Sequence, residues 1–412
     1  MLKSPPDPQP KILSLSSVYP NLSEPGAGLF IRARLEHMAA AADVKVVAPI
    51  LCLDDVGRNG NKTNRARVPR YCQSGPLEVY HPRWLYVPGT GVLTALLLAL
   101  ELIWPVWRLR KRFPFQLLDA HFGFPEGIAA ALLAGVLRLP FMVTLRGSEL
   151  LHARYRWRRM GMRWALRRAS RVLTVSEQLR IFALELGVDP GRVKTIPNGI
   201  DRARFHPREQ EVSRARYGLP TATPIILAAG HLIELKGHHH LIRAMKQLLA
   251  GGSHVLLLIA GGVPGRGVSS YEAELRALTA ELRLQEAVRF LGPVSPDTLA
   301  ELMSAADVFC LASSREGWPN VVNEALGCGT PVVATHVGAI PELIPSARYG
   351  FVVPVGDPAA LAGAVKLALA TPWDRRAIAA WGQTRGWEEV AEEVLEQVQQ
   401  ILGETRQTIP PA

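Results

Sequence analysis

Two glutamates, Glu316 and Glu324, stand eight residues apart around the start of a predicted helix. Carboxylates accept charge-assisted hydrogen bonds, about twice as strong as neutral ones, from hydroxyl groups such as those of sugars. A pair at this spacing can therefore hold two parts of one polyhydroxylated ligand. Taken singly, each glutamate is as well explained by an exposed loop position or by the polar face of an amphipathic helix.

The backbone between these glutamates predicts an anion site. Pro319 suits a first helical position. The amides that would then point out of the helix start belong to Asn320, Val321 and Val322. A helix start attracts phosphate through hydrogen bonds and through the helix dipole. It also follows a predicted strand at residues 308–311, and open parallel sheets bind ligands at the carboxyl ends of their strands.

A second loop, directly after the predicted strand at residues 225–229, carries His231 and Lys236. A lysine ammonium can neutralise charge on a departing diphosphate, and that stabilisation is realised in the transition state. A plain surface lysine is the alternative. The run from His238 to His240 lacks the i, i+4 relation of helical zinc ligands, because adjacent residues on a helix point in different directions. No metal site is therefore expected.

Loops of the first half of the chain also follow predicted strands. His121 could bind a sugar hydroxyl as a neutral imidazole, and its titration near neutral pH makes it a candidate proton carrier. A capping or core histidine would look the same in the sequence. Arg146 could meet a phosphate or a carboxylate of an acceptor. Gly26 and Gly28 would permit a close approach to the backbone.

Short apolar runs alternate with helical stretches, which predicts parallel sheets with helices on both faces. One series extends from residues 11–15 to 171–175 and a second from 225–229 to 331–334, with prolines and a glycine marking a boundary near residues 200–220. The predicted fold class is α/β, with two doubly wound, Rossmann-like domains at residues 1–205 and 206–384 that face each other across a cleft. A helical pattern at residues 385–402 is expected to pack either locally or back on the first domain.

The charge of the chain favours a polyanionic partner. Its 412 residues carry a formal charge of +11, with arginine clusters at residues 108–112 and 154–171. Nucleic acid, an anionic membrane surface and phosphorylated small molecules all qualify. The apolar stretch at residues 91–107 contains Glu101 and Pro105 and is shorter than the roughly 20 residues that cross a bilayer. It predicts a buried or interfacial helix.

The cysteines and the first residues suggest a compartment. Four cysteines without paired spacing favour a reducing environment over a disulfide or zinc framework. The opening residues lack the apolar stretch of a secretory signal. The expected location is the cytoplasm, with peripheral contact to the inner face of the cytoplasmic membrane.

The segment from Glu316 to Ala325 strongly resembles family 4 of the retaining glycosyltransferases, also called group 1, which have the GT-B fold. The resemblance implies that Glu316 contacts the transferred sugar, Glu324 the ribose of the donor and Lys236 its diphosphate. It also implies further contacts around the donor, by Gly26, Gly28, His231, Trp318, Asn320 and Val321, with His121 near the reacting centre and Arg146 lining the cleft. His231 departs from the family, since many members have an arginine there.

The resemblance implies a retaining, metal-independent transfer of a sugar from a UDP- or GDP-sugar to an acceptor hydroxyl, without a cofactor. The expected acceptor is a saccharide or a lipid-linked sugar in cell-envelope polysaccharide or glycolipid synthesis. Two other interpretations stay open. A nucleotide-sugar epimerase of the same fold would convert the donor without an acceptor. A non-catalytic protein would bind membranes or nucleic acid through the arginine clusters, although no nucleic-acid module is present and nucleic acid is not the expected partner.

Overall fold

The computed structural model describes residues 9–51, 67–85, 91, 93–262 and 270–408. The chain forms two compact units: the first comprises Met1–Gly199 with Trp387–Ala412, and the second comprises Ile200–Gly386. The division between the units lies at Gly199/Ile200, six residues before the boundary expected at 205/206. Ile200 and Phe205 are buried in the hydrophobic core of the second unit, so this unit begins earlier in the chain than residue 206.

The strands of the first unit are β1 (Lys11–Leu15), β2 (Asp43–Val47), β3 (Ile50–Leu51), β4 (Tyr71–Ser74), β5 (Leu77–Tyr80), β6 (Arg83–Trp84), β7 (Leu117–His121), β8 (Phe141–Leu145), β9 (Arg171–Thr174) and β10 (Val193–Thr195). Among the described residues, eight of them form one sheet in the order β10-β9-β8-β7-β1-β2-β5-β4, in which β4 runs antiparallel to β5. The chain leaves β1 and its neighbour β7 toward opposite edges of this sheet. The loops after these two strands therefore lie at its topological switch point, where ligands bind in open parallel sheets.

The helices of this unit before its C-terminal segment are α1 (Leu29–Met38), α2 (Leu93–Arg112), α3 (Ile128–Leu137), α4 (Glu149–His152), α5 (Arg156–Leu166) and α6 (Glu177–Glu185). Among these helices, α2 packs against α3, and α3 packs against α5. Buried side chains recur every three or four residues along α2, from Ala95 to Leu109, so one face of the apolar stretch enters the core. Within the described ranges, no helix is long and apolar enough to cross a membrane.

The second unit contains the strands β11 (Ile225–Ala229), β12 (Leu256–Ala260), β13 (Val288–Gly292), β14 (Val308–Leu311), β15 (Val332–Thr335) and β16 (Gly350–Val353). They form a parallel sheet in the order β13-β12-β11-β14-β15-β16, the 3-2-1-4-5-6 order of dinucleotide-binding folds. The central strands are buried along their whole length, because apolar cores cover both faces of the sheet. Its switch point lies between β11 and β14.

The helices of the second unit are α7 (Gln210–Arg216), α8 (His238–Ala250), α9 (Ser270–Glu281), α10 (Pro296–Ala305), α11 (Asn320–Gly327), α12 (Ile340–Leu343), α13 (Pro358–Ala370) and α14 (Arg375–Gly382). The final helix, α15 (Trp387–Thr408), belongs to the first unit. Its apolar side chains Val390, Val394 and Val398 are buried in one core with Leu35 and Met38 of α1. Each unit is thus a Rossmann-like α/β fold, as the alternating sequence pattern predicts.

Candidate functional site

Lys236 and Glu316 meet at the switch point of the second unit. Lys236 lies in the loop after β11 and Glu316 in the loop after β14, and their Nζ and Oε1 atoms are 2.6 Å apart. The Ser313 hydroxyl donates to the same carboxylate oxygen over 2.7 Å. The ammonium has three donors and the carboxylate a second oxygen, so both partners keep hydrogen-bonding capacity. The side chains are 17% and 11% exposed, which leaves both accessible to a ligand.

Glycines hold these two loops close together. Gly237, directly after Lys236, has a φ of +66°, and a Cβ there would lie 2.0 Å from the carbonyl oxygen of Ala312. Only glycine accommodates both the left-handed backbone and this approach. Gly338 similarly has a φ of +53°, and its added Cβ would lie 2.5 Å from the carbonyl oxygen of Glu316. The position of the Lys236–Glu316 pair therefore depends on backbone packing as well as on the pair itself.

We expect Gly237→Ala to destabilise the second unit and to displace Lys236. The left-handed conformation alone costs a non-glycine residue about 1–2 kcal/mol, and the contact with Ala312 adds to that cost. Gly252→Ala is the matched control, because Gly252 has a φ of +81° but an added Cβ meets nothing within 4 Å. Urea unfolding of the two variants checks the difference. Equal losses of unfolding free energy would show that the close approach at Gly237 is unimportant.

Helix α11 begins one residue later than expected. Pro319 is its N-cap in an extended conformation, with φ −78° and ψ 90°, and Asn320 is the first helical residue. The Val322 amide donates to the Pro319 carbonyl over 2.9 Å, so the expectation that it points freely out of the helix start is wrong. Val321 remains partly exposed in the first turn, where amides lack intrahelical acceptors. Trp318 packs against the core of the unit just before the helix.

Glu324 lies on the second turn of α11, and the residue is partly exposed. Burial raises the pKa of its carboxyl to about 7, an effect that the nearby Arg204 opposes and Asp201 reinforces. Within the described residues its carboxylate has no hydrogen-bond or ion-pair partner. The group is therefore available to a ligand and changes its charge near neutral pH.

The histidines near Lys236 have separate environments. His231 is exposed in the loop after β11. His238 is buried, which lowers the pKa of its imidazole to about 4, and it hydrogen-bonds to the backbone of His231. His239 Nδ1 lies 2.7 Å from the Tyr271 hydroxyl. No group of three or more metal-ligating side chains occurs in the part of the chain that the structure describes.

In the first unit, β7 and β8 carry a buried polar cluster that the sequence motifs revealed only in part. Arg34 of α1 donates to Asp119 Oδ2 over 2.6 Å and to the Thr144 hydroxyl over 2.8 Å. Both charged side chains are almost fully buried. Burial opposes the charge of Asp119, yet the Arg34 guanidinium and His121 hold the pKa of its carboxyl at about 2. The cluster therefore contains a paired, ionised carboxylate.

His121 is fully buried in this cluster, and its expected titration near neutral pH is wrong. Burial lowers the pKa of the imidazole to about 3, although Asp119 opposes the shift. Nδ1 accepts hydrogen bonds from Arg146 Nε and Nη2 over 3.2 and 2.9 Å, so the ring proton is on Nε2, 3.0 Å from the Ser14 hydroxyl. With both nitrogens engaged, the neutral imidazole can hold the guanidinium of Arg146 in place.

Arg146 is 8% exposed and is held on several sides. Besides His121, its Nη1 donates to Asn198 Oδ1 over 3.2 Å, and its guanidinium lies 5.0 Å from the ring centroid of Phe30. Burial and the positive charge of Arg34 lower the pKa of Arg146 to about 9, so the guanidinium keeps its charge at neutral pH. The structure thus brings two of the predicted residues, His121 and Arg146, into direct contact.

The glycines and two unforeseen glutamates complete the switch point of the first unit. Gly28 has a φ of +66°, and a Cβ added there would lie 2.3 Å from the Val18 carbonyl oxygen, whereas Gly26 is exposed and a Cβ added to it would meet nothing within 4 Å.

Glu126 accepts hydrogen bonds from the backbone amide and the hydroxyl of Ser17, and burial raises the pKa of its carboxyl to about 7. Glu149 accepts from the amides of Gly123 and Gly147, and burial raises the pKa of this carboxyl too. The sequence signal that could have identified Glu126 and Glu149 is their position in loops just after predicted strands.

Comparisons with known proteins cover both units. The family described as Glycosyltransferase Family 4 matches residues 26–204, and that described as Glycosyl transferases group 1 matches residues 209–385. The 2-deoxystreptamine glucosyltransferase of Streptomyces kanamyceticus is 30% identical over 64% of this chain and 71% of its own length. The D-inositol 3-phosphate glycosyltransferase of Acidothermus cellulolyticus is 36% identical over 43% of this chain and 41% of its own length. The chain spans about half the length of the first curated relatives that it matches.

Solved structures extend the likeness to nearly the whole chain. Sucrose-phosphate synthase of Thermosynechococcus elongatus superposes with a TM-score of 0.76 at 22% identity, covering 96% of this chain and 100% of that one. Anabaena HepE in complex with UDP gives a TM-score of 0.72 at 22% identity, covering 95% of this chain and 100% of that one. At such identities the likeness establishes the fold.

Proposed function

The chain belongs to glycosyltransferase family 4 and has the GT-B fold, and from this premise we propose that it transfers a sugar from a nucleoside-diphosphate sugar to an acceptor hydroxyl with retention of configuration. The observation that carries the proposal is the Lys236–Glu316 pair beside the start of α11 at the switch point of the second unit. A cation, a helix start and two accessible carboxylates are the groups that a diphosphate joined to two sugars requires.

In this proposal each part of the donor has its own contact. Lys236 and the first turn of α11 bind the diphosphate, Glu316 accepts from hydroxyls of the transferred sugar, and Glu324 accepts from the ribose. Trp318, Asn320 and Val321 flank the donor at the helix start, and His231 lies beside it in the loop after β11. The complex of HepE with UDP-glucose, a protein of the same fold, makes UDP-glucose the first donor to test.

The proposed chemistry needs positioning and charge neutralisation from the protein. The acceptor oxygen bonds to the anomeric carbon as the bond from that carbon to the phosphate oxygen breaks. The acceptor proton passes to an oxygen of the leaving diphosphate on the same face of the sugar. Lys236 and the helix start stabilise the charge that develops on the diphosphate, so we propose that no metal ion or other cofactor is needed.

The acceptor is proposed to bind at the switch point of the first unit. Arg146 keeps its charge in a buried setting and has a small exposed fraction, which suits a phosphate or carboxylate of an acceptor. His121 fixes the guanidinium through its neutral Nδ1 and is therefore proposed as a positioning residue. Gly28 sets the loop after β1, whereas Gly26 is free to approach a ligand. The acceptor class remains a saccharide or lipid-linked sugar.

Product analysis tests the proposed reaction. The protein is incubated with UDP-glucose in the presence of EDTA, and GDP- and ADP-sugars are tried in parallel. We expect release of UDP. The sugar product, free glucose or a glucoside, should appear as the α-anomer in the first nuclear magnetic resonance spectra, which are recorded before free glucose equilibrates between anomers. An isomeric nucleotide sugar formed without acceptor would instead identify an epimerase. A β-anomer as first product would overturn retention, and loss of turnover in EDTA would overturn metal independence.

The pKa of Glu324 predicts a pH dependence of donor binding. Burial raises this pKa to about 7, so the carboxyl loses its proton, and becomes the stronger acceptor for ribose hydroxyls, as the pH rises through that value. We expect the Kd for UDP-glucose to fall several-fold between pH 6 and pH 8. Both phosphates of the donor stay ionised over this range.

The Glu324→Gln variant is the control for that titration, since it keeps the shape of the side chain and removes its proton equilibrium. Its Kd, measured by isothermal calorimetry, should be weaker at pH 8 and nearly independent of pH. A wild-type Kd that does not change between pH 6 and pH 8 would exclude Glu324 as the titrating contact.

A further inference from the structure

The outward face of α2 is apolar where a surface helix is normally polar. Leu100 and Trp104 are 65% and 61% exposed. The exposed side chains from residue 93 to residue 107 are Leu93, Leu96, Leu100, Trp104 and Trp107. They recur every three or four residues and form one stripe, opposite the stripe that enters the core. A helix that is apolar on both sides lies either inside a protein or against lipid.

Cations adjoin this stripe at its C-terminal end. The Arg108 guanidinium lies 5.2 Å from the ring centroid of Trp104, and the Lys111 ammonium lies 3.6 Å from that of Trp107. Tryptophan beside lysine or arginine is typical of the boundary between lipid tails and headgroups, where the ring is partly buried and the cation stays in water.

Helix α5 extends the same kind of surface. Trp157, Met160 and Trp164 are exposed at 64%, 49% and 37%, at spacings of three and four residues. Between residues 151 and 176 the chain has eight arginines and no acidic residue. Within residues 151–176, the exposed arginines without an acidic partner in the described structure are Arg154, Arg156, Arg159, Arg163, Arg167 and Arg168. Since α3 packs against both α2 and α5, the two helices belong to one layer of the first unit.

We propose that the exposed faces of α2 and α5, here called the aromatic–basic face, dock on the surface of an anionic lipid bilayer. The leucines and tryptophans enter the boundary between headgroups and tails, and the unpaired arginines attract anionic lipids. The proposal concerns a partner and does not rest on the proposed sugar transfer.

Charge and chemistry favour lipid over the other occupants. A second copy of this face would bring two arginine clusters together with no acidic residue between residues 151 and 176 to compensate them, which like-charge repulsion opposes. Nucleic acid would pair with the arginines, but the leucines of the α2 stripe offer no hydrogen bond to phosphates or bases. An anionic bilayer accommodates both parts of the face.

Vesicle flotation, without any sugar nucleotide, tests the proposal. The full chain should float with vesicles of phosphatidylcholine and phosphatidylglycerol and much less with phosphatidylcholine alone. We expect Leu100→Glu with Trp104→Glu to lower the partition coefficient about tenfold or more, because binding scales with buried apolar area. Arg156→Glu with Arg159→Glu should lower it similarly at low salt and less at high salt.

Matched controls separate this surface from a general effect. Val212 and Leu367 are exposed at 61% and 54% on helices of the second unit, and Val212→Glu with Leu367→Glu should leave flotation unchanged. Circular dichroism verifies that every variant is folded. Flotation that is absent for the wild type, or lost equally in this control, would overturn the proposal. Two other results would also overturn the proposal: a concentration-dependent dimer that Leu100→Glu with Trp104→Glu abolishes, or RNA binding that this variant abolishes in a protein that does not float.

Discussion

Replacing Lys236 by alanine should lower kcat for donor turnover by about 10²- to 10³-fold, the loss seen when one preorganised transition-state donor is removed. Lys236 Nζ lies 2.6 Å from Glu316 at the switch point, where charge on the leaving diphosphate would develop. Because the stabilisation is realised mainly in the transition state, kcat should fall more than KM rises. Release of UDP from UDP-glucose, followed in a coupled assay, provides the measurement.

Lys246→Ala is the matched control for this variant, since Lys246 is exposed on α8 of the same unit and belongs to no ion pair among the described residues. Its kcat should equal that of the wild type. Lys236→Arg should recover part of the rate, because the charge remains although its geometry changes. A normal kcat in Lys236→Ala, with a verified donor, would show that the diphosphate binds elsewhere.

Asp119→Asn should destabilise the first unit by about 3–5 kcal/mol, the usual cost of removing one partner of a buried ion pair. Arg34 would then keep an uncompensated charge, since both side chains of the pair are almost fully shielded from water. The free energy of unfolding in urea is the quantity to measure. Arg180→Gln breaks the exposed pair of Arg180 with Glu177 and should cost only about 0.5 kcal/mol or less.

The contribution of Asp119 should also depend on pH. Its folded-state pKa, about 2, lies below the unfolded value of about 3.9. A carboxyl with a lowered pKa stabilises the fold fully above the unfolded pKa and loses this contribution as the pH falls through the folded pKa. The difference between wild type and Asp119→Asn should therefore be constant above about pH 5 and shrink toward pH 2. A difference that grows below pH 4 would contradict the assignment.

Much of the second unit could be predicted because its signals are local. The strand at Val308–Leu311 is a buried apolar run bounded by polar residues, and its limits agree with the sequence pattern. Lys236 and Glu316 were each predicted in a loop after a strand, but their pairing was not, because it depends on β11 lying beside β14. By contrast, β4 and β5 were not predicted, because neither is a continuous buried apolar run: β4 has no buried residue, and buried and half-buried residues alternate along β5.

The buried cluster of the first unit depends on contacts that sequence spacing does not reveal. Arg34 lies on the same face of α1 as the buried residues Ile31, Leu35 and Met38. A charged residue on an apolar helix face indicates a buried partner of opposite charge, and this signal was present in the sequence. Its partner Asp119 is 85 positions away, so the pair becomes evident only when β7 is placed beside β1. The same burial explains why His121 is neutral, since desolvation outweighs the neighbouring carboxylate.

We propose that the second unit binds a nucleoside-diphosphate sugar through Lys236 and Glu324. The most direct test is calorimetric titration of UDP-glucose into the wild type and into Lys236→Ala with Glu324→Ala, together with thermal unfolding. At about 100 times the Kd, the ligand should stabilise the wild type by about 2.7 kcal/mol, and the double variant should show neither heat nor stabilisation. Equal binding by both proteins, or no binding of any UDP-, GDP- or ADP-sugar by the wild type, would contradict the claim.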